Sequence, residues 1–193
     1  LIKNEKNIGL ANSLNKAINS AKYELIAIVW CDCILFGENW LTKMIEKFNS
    51  DNKIAAVGSN LILPKEIWQK YNFWNKVNTF EEYLRNIKKI KFSRPTLFNK
   101  RLIKEMGMYD NKTFRIAGED IDIMLKLMKR GYKIVLADTE IIHMHGLYKL
   151  SLTKRLFKKA LPLAEASGVI FRRHLFLNDK FRNALTYTFI YLF

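Results

Sequence analysis

Gly118-Glu119-Asp120-Ile121-Asp122 sets three carboxylates at the head of a segment that is otherwise apolar and basic. Ile121, Met124, Leu125 and Met128 recur at helical spacing and Gly131 supplies a stop, so the acids fall in the first turn of a predicted helix. Unpaired backbone N–H groups and the helix dipole favour negative charge there. An ionised carboxylate in that place could act as a general base. The alternative is that Glu119 and Asp120 only cap the helix. Downstream, Tyr132–Leu136 reads as a strand, Ala137–Glu140 as a turn, and Ile141-Ile142-His143-Met144-His145-Gly146 as a second strand. Residues two apart on a strand share a face, so His143 and His145 are expected to project together, one helix and one turn after the acids.

The elements that must position these groups alternate in type. Leu10, Leu14, Ala17, Ile18 and Ala21 form one helical stripe, and Leu41, Met44, Ile45 and Phe48 form another. Between them Leu25–Trp30 is a continuous apolar run suited to a strand covered on both faces, and Ile54–Val57 is a second short strand. Helix, strand, helix, strand implies a parallel sheet. Ligands of such sheets lie at the carboxyl ends of the strands, which places Asp32, just beyond the first run, in a plausible site by topology.

The stretch GEDIDIMLKLMKRGYKIVLADTEIIHMHG resembles the second half of a family 2 glycosyltransferase of the GT-A fold. Asn7-Ile8-Gly9-Leu10-Ala11 with Asn15 and Ala21 looks like the family's Asn-x-Gly helix. Phe98–Arg101 through Met106–Asp110 looks like the lead into its acidic motif, so the resemblance covers roughly residues 7 to 148. It implies an α/β class with a GT-A-like, mostly parallel sheet flanked by helices, incomplete at the amino terminus. About two strand–helix units, roughly 60 residues at about 30 each, would precede Leu1.

The resemblance also implies a reaction, the transfer of a sugar from a nucleotide-sugar donor to an acceptor hydroxyl, with inversion. Asp120 would be the base, Glu119 would position it or meet the acceptor, and Asp122 would be structural. The family holds an Asp-x-Asp motif near the first strand, whose acids bind a divalent cation, Mg²⁺ or Mn²⁺, that neutralises the donor diphosphate. This chain reads Trp30-Cys31-Asp32-Cys33 there, so only the last acid remains. Asp32 is expected to address the metal and diphosphate, with His143 as a further metal or phosphate contact. The alternative function is a noncatalytic basic module, on a degenerate transferase fold, that binds anionic membrane or nucleic acid. Trp30 in place of the first metal acid is its support.

Cys31 and Cys33 are the only cysteines. Two apart, they are poorly placed to bridge each other, and no disulfide framework is indicated. With His143 and His145 they formally offer two Cys and two His. Cys-x-Cys and His-x-His are not the spacings of common zinc modules, and small cysteines at a strand end need no metal.

With 193 residues, 49% of them hydrophobic, the chain can bury one domain core and carry an appendage. Lys and Arg number 33 against 18 Asp and Glu, a formal net charge of +15. That balance favours anionic partners such as nucleotide sugars, phospholipid headgroups or nucleic acid, and charge alone does not choose among them. No RNP-like strand, paired zinc-ligand spacing or compact basic reading helix is present, and nucleic acid is not an expected partner. Trp68, Tyr71, Phe73, Trp74, Phe80 and Tyr83 are interleaved with Lys, a mixture that could stack on bases or sugar rings. Partly buried helices are the favoured account, and the resemblance implies that this region would lie on the acceptor side.

The division expected from sequence is a catalytic domain over 1–148 and a basic amphipathic tail over 149–193. Lys154, Arg155, Lys158 and Lys159 alternate with apolar residues in a pattern that lies on anionic membranes, with docking on the catalytic domain as the competing account. The uncharged run Ala184–Phe193 is about half the roughly 20 residues a membrane span requires, so it would be at most the start of one. The expected location is the cytoplasmic face of a membrane, and the acceptor a saccharide or a lipid-linked saccharide.

Overall fold

The computed structural model describes residues 1–87, 93–114, 117–144 and 161–174. They fall into two compact units, each assembled from separated stretches of chain.

The unit formed by Leu25–Asn99 and Tyr132–Lys149 is built on a five-stranded sheet. Its elements are β1 (Leu25–Ala27), β2 (Cys33–Phe36), helix α2 (Trp40–Asn49), β3 (Ile54–Ile62), the short helix α3 (Lys65–Gln69), helix α4 (Phe73–Ile87), β4 (Ser93–Asn99) and β5 (Lys133–His143). The strand order is β1-β4-β3-β5-β2. The α/β class is as the sequence implied, but the sheet is mixed. Only β3 and β5 run parallel, while β1–β4, β3–β4 and β2–β5 are antiparallel. The cause is local. The apolar run after Leu25 does not stay in one strand: it breaks at a turn closed by Cys33 N–H donating to Trp30 C=O (3.0 Å), and the chain returns along β5 as β2. For the same reason β1 is not covered on both faces. It pairs only with β4 at the sheet's margin, and Ala27 and Val29 are exposed.

The strand buried on both faces is β3, whose residues Ile54 through Ser59 are all buried. Trp40 and Met44 of α2 pack on this sheet with Val57, Leu97, Ala137 and Ile141. Met44 has no exposed surface, and burying such a side chain contributes about 1.5–3 kcal/mol. The Trp40 indole N–H donates to Ser59 Oγ (2.8 Å), which lies 2.8 Å from Thr139 Oγ1, so the polar groups under α2 are satisfied. Around α3 and α4 the aromatic residues divide. Trp68 stacks on Tyr83 at 4.1 Å and Tyr71 is buried, while Phe73, Trp74 and Phe80 are exposed.

The unit formed by Leu1–Glu24, Lys100–Gly131 and Leu150–Phe193 is helical in its described part. It holds α1 (Leu10–Ser20), α5 (Lys100–Glu105), α6 (Glu119–Lys129) and α7 (Leu161–His174). α6 starts and stops where the sequence indicated, with Gly131 at φ 84° just past its end. Its inward face differs from the expected stripe. Ile123, Leu125 and Leu127 are buried together with Glu119 and Asp122, whereas Met128 is exposed. Phe114 and Leu125 form a core with Ala166 and Ile170 of α7, joined by Ile121 and Val169. Thus the described part of the tail docks on α6. The segment carrying Lys154, Arg155, Lys158 and Lys159, the run Ala184–Phe193, and His145 all lie outside the described residues. Among the described residues no helix is long and apolar enough to cross a membrane.

Candidate functional site

The expected site residues divide between the two units. In the helical unit, Gly118 stands before α6 at φ 98°, and no side chain caps the helix from that position. The three acids that follow have different surroundings. Asp122 is almost wholly buried and held by three basic side chains: Lys126 Nζ lies 2.7 Å from Oδ2, and His174 Nε2 and Arg173 Nη1 lie 3.0 and 3.5 Å from Oδ1. Glu119 is buried. Asp120 is half-buried and accepts from the Ile121 N–H (2.8 Å), and no Lys or Arg pairs with it among the described residues.

Tyr109 lies beside this turn. Burial, and then the negative charges of Asp120 and Glu119, push its phenol well above the usual tyrosine range. Its backbone is clamped by one side chain of α1. Asn15 donates from Nδ2 to the Tyr109 C=O (2.8 Å) and accepts at Oδ1 from the Tyr109 N–H (3.0 Å). Asp110 then ties the turn to α7. Burial acts to raise its carboxyl, but the N–H groups of Thr113 and Lys112 and the Arg173 guanidinium overcome this and hold it well below the usual carboxylate range. Arg173 Nη1 sits 2.8 Å from Asp110 Oδ2, and its Nη2 donates to Thr113 Oγ1 (2.7 Å). In the sequence Arg173 and His174 fall within the basic tail expected over 149–193. Nothing local links them to Asp122, which lies about fifty residues earlier in the chain.

In the sheet unit, Asp32 occupies the turn between β1 and β2, and His143 is the last residue of β5. The register places Cys33 directly opposite His143. Asp32 extends this ladder, since the Met144 N–H donates to its C=O (2.7 Å). Asp32 Oδ2 lies 3.4 Å from His143 Nε2, and the Cys33 thiol donates to Asp32 Oδ1 (3.9 Å). The donor atoms of Asp32, Cys33 and His143 all lie within 4.8 Å of one another. The structure therefore brings the two expected metal residues together and adds Cys33. Cys31 is exposed, and Cys33 is half-buried against the core around Trp40 and Met44. As a donor set for the Mg²⁺ or Mn²⁺ expected from the resemblance, the group supplies one hard carboxylate, together with an imidazole and a thiol that suit softer cations.

The acidic helix start and the strand-end donor group are features of a chain that belongs to glycosyl transferase family 2, whose family model matches residues 1–106. That match includes Asp32 and Cys33; α6 and β5 lie beyond it. The chain is also similar to poly-beta-1,6-N-acetyl-D-glucosamine synthase of Staphylococcus aureus (strain COL), with 32% identity over 142 residues covering 67% of this chain and 32% of the synthase. The enzyme of the same name from Staphylococcus epidermidis is 31% identical over 142 residues, with the same coverage, 67% and 32%. The chain thus spans about a third of the length of these curated relatives.

Proposed function

We propose that this chain is part of a glycosyltransferase that moves a sugar from a nucleotide-sugar donor to an acceptor hydroxyl with inversion at the anomeric carbon. The names of the relatives make N-acetylglucosamine the first donor sugar to test and a growing saccharide the first acceptor. The observation that carries the assignment of the base is the difference between the three acids of α6. Asp122 is paired with Lys126 and Arg173 and contacts His174, and Glu119 is buried, whereas Asp120 keeps a half-exposed carboxylate without a cationic partner among the described residues. Asp120 is the base that takes the proton of the acceptor hydroxyl as that oxygen attacks the anomeric carbon. Glu119 orients it or meets the acceptor. Asp122, locked from α7, fixes the rotation of the helix that carries both.

Asp32 and His143 are the residues that would hold a divalent cation and face the donor diphosphate. When bound, such a cation offsets the negative charge that grows on the leaving group. The exposed Phe73, Trp74 and Phe80 offer flat apolar faces suited to sugar rings on the acceptor side. The basic segment within 149–193 brings the protein to an anionic membrane surface.

The test is a donor screen on the purified full-length protein. A nucleotide-linked N-acetylglucosamine is expected to raise the melting temperature, because a ligand that binds only the folded state stabilises it. It should also label a saccharide acceptor. No thermal shift and no transfer with any nucleotide sugar would favour the noncatalytic reading.

A further inference from the structure

The strand register, not an isolated side chain, builds the group at the end of β5. Cys33 and His143 are paired across β2 and β5, so their side chains emerge on one face. Asp32, one residue earlier, is held by its own backbone bond to Met144. The three donors are a carboxylate oxygen, a thiol sulfur and an imidazole nitrogen.

We propose that Asp32, Cys33 and His143 form a three-donor site for a thiophilic divalent cation, taking Zn²⁺ in preference to Mg²⁺, with Cys33 bound as the thiolate. This rests on the reading of Asp32 and His143 as metal residues and adds which cation they select. The chemistry of the donor set supports it. Mg²⁺ demands oxygen ligands in near-octahedral array, whereas Zn²⁺ takes Cys, His and Asp together in a tetrahedron with one position open. The donors lie close together: Asp32 Oδ2 and His143 Nε2 are 3.4 Å apart, the Cys33 thiol is 3.9 Å from Asp32 Oδ1, and all three donor atoms lie within 4.8 Å of one another. Two donors about 2.0 Å from a zinc ion lie about 3.3 Å apart at the tetrahedral angle, so the thiol moves inward as the ion binds. Cys33 is half-buried, and binding of the ion releases the thiol proton to solvent. The open fourth position is the one a water or a phosphate oxygen would fill.

Co²⁺, a spectroscopic substitute for Zn²⁺, is titrated into the reduced, metal-free full-length protein. The expected result is a near-ultraviolet sulfur-to-cobalt absorption that equimolar Zn²⁺ removes and a large excess of Mg²⁺ does not. Cys33→Ser should abolish this band and weaken Co²⁺ binding by about 10- to 100-fold or more, the loss seen when even supporting groups of metal sites are removed. Cys31→Ser should keep the band. A reading that needs no variant is alkylation of the unaltered protein, where Zn²⁺ should slow modification of Cys33 and leave Cys31 reactive. Identical spectra and affinities for Cys33→Ser and the unaltered protein, displacement by Mg²⁺, or no protection of Cys33 would each overturn the proposal. Donor binding measured on the same samples separates the two readings. A donor that binds with Mn²⁺ while no thiolate band forms removes the thiolate site alone, and a band without donor binding removes the transferase reading alone.

Discussion

Replacing Gly118 by Ala tests the packing that holds the acidic helix start. Two costs are expected. The backbone at φ 98° lies in the left-handed region, where a Cβ costs about 1–2 kcal/mol. The new Cβ would also stand 2.9 Å from Phe114 Cδ1, 3.0 Å from Phe114 Cε1 and 3.0 Å from Ala166 Cβ. Carbon atoms pack comfortably at about 3.5–4.0 Å, so all three contacts are too close by at least half an ångström. Phe114 is buried and Ala166 Cβ is fixed to the α7 backbone, so neither can swing away. Overpacking of this kind costs about 1–3 kcal/mol, which brings the total to about 2–5 kcal/mol. Gly131→Ala is the matched control, with φ 84° and nothing within 4 Å of the added Cβ, and it should cost only the backbone part, about 1–2 kcal/mol. Urea denaturation of both variants and the unaltered protein measures the difference. Equal losses for the two would refute the close packing of Gly118 against Phe114 and α7.

Asp32→Ala should weaken donor binding and its dependence on added divalent metal more than it weakens acceptor binding, as read by calorimetric titration with and without metal; unchanged donor affinity in both conditions would make Asp32 a turn residue only. Asp110→Asn should destabilise the protein at neutral pH. Because the folded-state carboxyl is held below its unfolded value of about 3.9, that stabilisation is complete above this pH and lost as acid is added. The gap between variant and unaltered protein should therefore close below about pH 4, and a gap constant with pH would contradict the pairing with Arg173. Replacing Lys154, Arg155, Lys158 and Lys159 together by Gln should reduce sedimentation with anionic liposomes, since each basic residue near such a surface contributes about 1 kcal/mol. Equal sedimentation would assign the net charge to another partner.

What the sequence discloses here is what short-range physics controls. The acids, the apolar spacing and Gly131 bound α6 because caps and stops act within a turn of the helix. The stripes around Met44 and Ile18 likewise mark α2 and α1. Asp32 lies in the turn just before β2, but not at the end of a parallel strand as the expected sheet would have it. β4 is not legible, because Ser93-Arg94-Pro95-Thr96 carries a proline and no apolar alternation, and only pairing with β1 and β3 makes it a strand. The same limit hides Cys33. Its chemistry depends on the β2–β5 register, which joins residues more than a hundred apart. Arg173 and His174 read as surface charge for a similar reason: their partners Asp110 and Asp122 belong to another helix and the turn before it. Long-range pairing, not local propensity, decides each of these cases.

The central claim is that this family 2 chain contributes the base of a sugar transfer through Asp120, and Asp120→Asn in the full-length protein tests it most directly. The amide matches the carboxylate in shape but cannot accept the proton. With nucleotide-linked N-acetylglucosamine and a saccharide acceptor, donor affinity should be unchanged while the steady-state transfer rate falls by about 10²- to 10⁴-fold. Transfer at a near-normal rate by the Asn variant would contradict the account.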